Sequence, residues 1–257
     1  RHAALRALRD ILPSLGSDLC GLRNEGFLAT HELRTGARER SDWHDCGRKA
    51  AGILVQRGAD LLLSLGFQIE RHDNVTSVLR AGDRKIAVAV LLQRDESPEL
   101  QGERFGALSP ITHALAVADR ENLPWVIIQH GAKIRVYPSK VGLGVGRRGR
   151  TETYIECHTG LLPDTDAACV WLLCSADALV PGGMLEQLLE ESGRFAGDLA
   201  RSLREHIYES VVPKLAAGIV IARDLRQPTP QDLAETYEMA LVVLFRLLFI
   251  AYAEDKD

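Results

Sequence analysis

The sequence predicts an α/β domain on a mixed sheet, followed by an all-α region. Three observations carry that expectation. Lys85–Leu92 and Trp125–Gln129 are continuous apolar runs of strand length, the pattern of strands buried on both faces. Ser109-Pro110 opens a helix between them, so the two strands are expected to lie parallel across a right-handed connection. Past about Gly160 the periodicity becomes helical, with Leu185, Leu188, Leu189, Phe195, Leu199, Leu203 and Ile207 near one stripe.

Taken in order, Arg1–Leu22 reads as a helix and turn, and Asn24–Arg40, with Gly26 and Gly36, as a polar loop. A long helix is expected over Asp42–Leu65, from the spacing of Ile53, Leu54, Leu61, Leu62 and Leu65, with Gly66 as its stop. Phe67–His72, Val75–Arg80 and Lys85–Leu92 follow as strands, the last two joined by the turn Ala81-Gly82-Asp83. Asp95–Leu108 is an irregular link of a length that is usually functional or mobile. The helix from Ser109 ends near Asn122, because Leu123-Pro124 disfavours its continuation. His130-Gly131 then turns Trp125–Gln129 into the strand Lys133–Tyr137, and Thr151–His158 is a further strand. Beyond it, helices are expected over Asp166–Ala178, Met184–Tyr208, Val211–Ala222 and Gln231–Ala253. Breaks fall at Val180–Gly183 and Gln227–Pro230, and Pro213 forces a kink or restart. The expected domains are residues 1–160 and 161–257.

A net charge of -4 argues against a protein whose main business is coating nucleic acid, so any DNA contact must come from a local patch. Five cysteines with no C-x-x-C pair argue against a disulfide framework and for a reducing compartment. Cys157-His158, Cys169 and Cys174 lack zinc spacing. Arg1–Leu12 carries no signal-peptide pattern. Met239–Ala253 is shorter than the ~20 residues of a bilayer span and is interrupted by Arg246, so it is expected to be a core or interface helix. The resulting expectation is a cytoplasmic protein with no membrane partner.

Val141–Arg150 contains Gly142, Gly144, Gly146 and Gly149, fragments of a phosphate-loop spacing, but no helix pattern follows it. It reads as a flexible connection. Arg147, Arg148 and Arg150 cluster there and are the candidates for pairing with a nucleic-acid backbone.

The order helix, three strands, helix, strand over Ser41–Pro138 is that of the PD-(D/E)xK nuclease core. Leu244–Asp255 resembles the "RLLFLLYAE" helix of type IIG-like fused restriction–modification proteins and their anti-phage relatives. Pro124–Ile128 with Gly131 and Val136-Tyr137 looks like that family's "W-hydrophobic-TNG…-RLY" strand pair. Arg150–Leu162, Trp171–Leu179 and Leu185–Pro213 look like its linker. The resemblance implies a degenerate nuclease-like domain and a helical connector, preceding an adenine-specific DNA methyltransferase domain that would lie past Asp257. That domain would use S-adenosylmethionine; neither its N-P-P-Y-type motif nor a convincing cofactor glycine motif occurs here. DNA, the downstream methyltransferase domain and defence-system subunits are the implied partners.

Nuclease chemistry needs carboxylates converging on Mg²⁺ and usually a Lys beside the attacking water. Asp73 stands where the first acid is expected, but Leu91 and Gln93 fall where the second acid and the Lys should be. Catalysis is therefore not expected. The alternative is an active Mg²⁺ endonuclease with a site rebuilt from Asp73, Asp95 and Glu96; another is a protein-interaction scaffold.

Overall fold

The computed structural model describes residues 21–146 and 148–254. Seven strands among them form one mixed sheet: β1 (Leu22–Glu25), β2 (Gln68–Arg71), β3 (Thr76–Ala81), β4 (Arg84–Leu91), β5 (Trp125–His130), β6 (Lys133–Pro138) and β7 (Tyr154–His158). Their order is β1-β7-β6-β5-β4-β3-β2, and only β4 and β5 pair in parallel; the other neighbours are antiparallel. The helices are α1 (Trp43–Ala51), α2 (Gly58–Ser64), α3 (Pro110–Glu121), α4 (Ala168–Cys174), α5 (Ala176–Leu179), α6 (Met184–His206), α7 (Val212–Ala222) and α8 (Pro230–Glu254). An α/β region followed by an all-α one is thus the observed fold class.

Burial explains why the two apolar runs sit at the centre. Ile86–Val90 and Trp125–Gln129 are buried throughout. Their side chains alternate between two cores, as the period of a strand requires. Ala87, Ala89, Trp125 and Ile127 face a core shared with α1, α2, α4, α5 and the start of α6. Val88, Val90, Val126 and Ile128 face Phe105 and the apolar side of α3. The α3 ends behave as the sequence predicts. Ser109 Oγ accepts a hydrogen bond from Thr112 N at 3.3 Å, and Asn122 closes the helix in the left-handed conformation, φ 52°.

Several elements differ from expectation. The long helix is two, α1 and α2. The first ends at Ala51, with Gly52 as its C-cap, and the second starts only after Arg57, which is extended, and Gly58, which has φ +59°, a conformation most side chains disfavour. The loop expected over Asn24–Arg40 begins as edge strand β1, paired with β7, and then makes helical turns at Glu32–Gly36 and Ala37–Glu39. Pairing with a distant strand outweighed the polar character of Leu22–Glu25. The helix expected over Arg1–Leu22 lies mostly outside the described residues. The helix expected over Asp166–Ala178 divides at Ser175, which is extended and caps α5 by accepting from Ala178 N at 3.1 Å.

The chain forms two compact units, the second beginning at Ala196 and not near Gly160. Helices α4 and α5 belong to the first unit because Val170, Leu172, Leu173 and Leu179 pack into the sheet core. Trp125 Nε1 donates to Leu179 O at 3.0 Å. In the second unit, the helical path continues from α6 through a π-helical turn, Ile207–Val211, into α7, with Pro213 in the first turn of α7. There α7 and α8 are tied by Arg223, which reaches Glu235 at 3.0 Å and Thr236 at 3.4 Å. Thr229 and Asp232 cap α8 reciprocally. Ala240 and Leu244 are buried, but Phe245, Leu247, Leu248 and Phe249 are exposed, so among the described residues the expected packing of the Leu/Phe face is not made. No helix among the described residues is long and apolar enough to cross a membrane.

Candidate functional site

In open α/β sheets, ligands bind outside the carboxyl ends of parallel strands. Here that end is formed by Leu91 of β4 and Gln129-His130 of β5, roofed by the connection 92–109. Asp73 lies at the same end, because Thr76 pairs with Val90. Its Oδ1 accepts from Val75 N and Thr76 N, both at 2.7 Å, which makes it a turn carboxylate. Its Oδ2 lies 3.7 Å from His113 Nε2. Burial pushes the Asp73 carboxyl up, but the amides of Val75 and Thr76 and the nearby His113 outweigh it and hold the group at about 2.

The other expected acids take different roles. Asp95 is exposed in the turn after β4. Glu96 is gripped by the Arg104 fork at 2.8 and 2.7 Å and also accepts from Gln93 N at 2.7 Å. Arg104 Nη2 reaches Leu91 O as well, at 3.1 Å, so this pair caps the end of β4. Leu91 and Gln93 are both exposed. Among the described residues no three His, Cys, Asp or Glu side chains group so as to hold a metal ion, and Asp73, Asp95 and Glu96 therefore make no such set.

The glycine-rich segment is built for close backbone approach. Gly144 has φ +102°, and a Cβ there would meet Gly26 O at 2.6 Å; Gly146 N donates to that same oxygen at 2.8 Å. Arg148 pairs with Glu25 of β1, and Arg150 reaches Asp119 at 2.7 Å and Ser139 O at 2.6 Å. Both arginines thus anchor the segment to the first unit, while keeping side-chain exposures of 48% and 29%. Arg147 lies outside the described residues.

A second charged cluster was not foreseen from the sequence. Lys133, Arg135 and Tyr137 alternate along β6 and so share one face. Arg135 is buried opposite Glu156 of β7, its direct cross-strand partner, and donates to it through Nε. Its Nη1 donates to Glu99 of the 92–109 connection and, at 3.1 Å, to Tyr137 Oη. The ring of Tyr154 lies 4.6 Å from the guanidinium carbon. Lys133 Nζ stands 3.7 Å from Glu156. Burial alone would weaken the hold of Arg135 on its proton; Tyr137, Glu156 and Glu99 outweigh it and push the group up. Burial also pushes the Tyr137 hydroxyl up. Glu99 stays below its usual range, because hydrogen bonds from Arg135 and Ser97 overcome its partial burial. A cleft of about 160 Å³ opens between the 96–99 segment and His130, Lys133 and Arg135, with Ile128 in its wall. The signal in the sequence was a Lys and an Arg alternating with Ile134 and Val136 inside a strand otherwise built for burial.

No family model, no curated protein and no solved structure matches this chain.

Proposed function

We propose that this chain is a nuclease-like domain with a helical connector, from a DNA restriction–modification or phage-defence methyltransferase, serving DNA docking or assembly and not cleavage. The resemblance of Leu244–Asp255 and of the Trp125–Tyr137 strand pair supports the family. An antiparallel meander β2-β3-β4, followed through α3 by β5 parallel to β4, supports the nuclease-like half.

One observation carries the absence of cleavage: the chemistry of the donor set at the end of β4. Leu91 cannot ligate a hard cation, and Gln93 brings no charge to the attacking water. Glu96 has both oxygens committed to Arg104, and Asp73 has one oxygen committed to two amides. These residues do not fit a Mg²⁺ centre, and no step is derived through one. The implied S-adenosylmethionine belongs to the expected downstream domain.

Incubating the chain with supercoiled plasmid in Mg²⁺ or Mn²⁺, beside Asp73→Ala, tests this reading. Neither protein is expected to nick. Nicking by the parent that disappears in the variant would establish the endonuclease alternative. Docking is expected as weak duplex binding, and replacing Arg147, Arg148 and Arg150 with Ala should lower it alike for all sequences and flatten its salt dependence. Absence of duplex binding even at low salt would favour the scaffold alternative.

A further inference from the structure

We propose that the cleft beside Arg135 is a receptor for a phosphate group, and that the Glu99 carboxylate occupies the receptor as a removable internal ligand. The inference does not depend on the DNA reading.

Arg135 is one tenth exposed at its side chain, and its two carboxylate partners are held very differently. Glu156 is fixed opposite it by the β6–β7 register and is itself buried. Glu99 arrives from an irregular connection, with its side chain 52% exposed. The first partner belongs to the sheet; the second can leave. Arg135 Nη2 donates no hydrogen bond among the described residues, and Arg135 lines the cleft. A guanidinium fork pairs with phosphate oxygens in the same planar geometry as with a carboxylate.

Charge counting points to an anion. Arg135 and Lys133 face Glu156 and Glu99, so the four balance while Glu99 is seated. With Glu99 withdrawn, one positive charge is uncompensated. Glu96, the other carboxylate at the cleft, is matched by Arg104 and adds no net repulsion. His130 stands at the cleft beside Lys133. A cavity holds a water when it offers about 10–15 Å³ of space to the water's centre, so a cleft of about 160 Å³ has room for a phosphate with a few waters. A sugar and base would remain outside. The position, at the carboxyl ends of β4 and β5, is where sheets of this kind take ligands.

The test is calorimetric titration of the full chain with inorganic phosphate at constant ionic strength. The parent, Glu99→Gln, and Glu99→Gln with Lys133→Ala are compared. Glu99→Gln should bind about tenfold tighter than the parent, the effect of one competing charge-assisted contact, and the added Lys133→Ala should reverse most of that gain. Ser97→Ala, which removes the other hydrogen bond to Glu99, should shift affinity in the same direction as Glu99→Gln, by less. Thermal melts without phosphate check that each variant is folded. A Glu99→Gln protein that is folded and binds phosphate no tighter than the parent overturns the proposal, as does a gain that survives Lys133→Ala. Oligonucleotides bearing a 5′-phosphate or a 5′-hydroxyl separate the sources. Preference for the phosphorylated strand identifies a nucleic-acid end, whereas binding of inorganic phosphate alone identifies a free anion.

Discussion

Strand β5 and helix α8 are two of the most apolar stretches of the chain, and their surroundings are opposite. Every side chain from Trp125 to Gln129 is buried, with helices over both faces of the sheet. In α8, Phe245 is 66% and Phe249 72% exposed, and among the described side chains the buried ones are Thr236, Ala240 and Leu244. Apolar composition states a need for neighbours and does not supply them. Substitutions in the two regions should therefore differ in effect far more than their side chains do.

The largest effect should come from Trp125→Ala. It removes a side chain only 1% exposed and leaves Leu179 O without its indole donor, so a loss of about 3–5 kcal/mol is expected in chemical denaturation. A loss under about 1 kcal/mol would break the contrast with α8.

Arg135→Met sharpens the contrast from the polar side of the same sheet. It leaves Glu156 buried without its guanidinium, which should remove about 3 kcal/mol. Adding Glu156→Leu should recover most of that. Failure of the double variant to recover would mean that Arg135 holds the sheet by packing, through Tyr154 and Tyr137, more than by charge.

A smaller effect belongs to Asp73. Its carboxyl titrates at about 2 in the folded protein against an ordinary 3.8, so its contribution is complete above about pH 4 and is lost as pH falls through 2. The carboxylate is about a third exposed, and solvent screening reduces the contribution to about 1 kcal/mol. Asp73→Asn should therefore flatten the acid limb of the stability profile between pH 4 and 2, measured by unfolding at fixed ionic strength. An unchanged limb would show that the Val75 and Thr76 amides bind either form equally.

The smallest effect is expected from Phe249→Ser, within about 0.5 kcal/mol, since an exposed side chain away from special contacts contributes little to folding. A loss comparable to that of Trp125→Ala would mean that the α8 face is covered in solution.

Local chemistry was legible in the sequence wherever it acts over a few residues. The strand lengths of β3–β6, the Ser109 and Asn122 ends of α3, the glycine turn before β4, and the shift from sheet to helix all follow from local sequence pattern. Interactions between residues far apart in sequence were not. Only the tertiary structure added β1 beside β7, divided Asp42–Leu65 between Ala51 and Gly58, drew α4 and α5 into the sheet core, and engaged Arg148 with Glu25. It likewise set Arg135 between Glu156 and Glu99, residues 21 and 36 positions away. A linear pattern records whether a residue suits a buried or exposed place, and the partner that satisfies a buried charge is chosen by which strands and loops pack side by side.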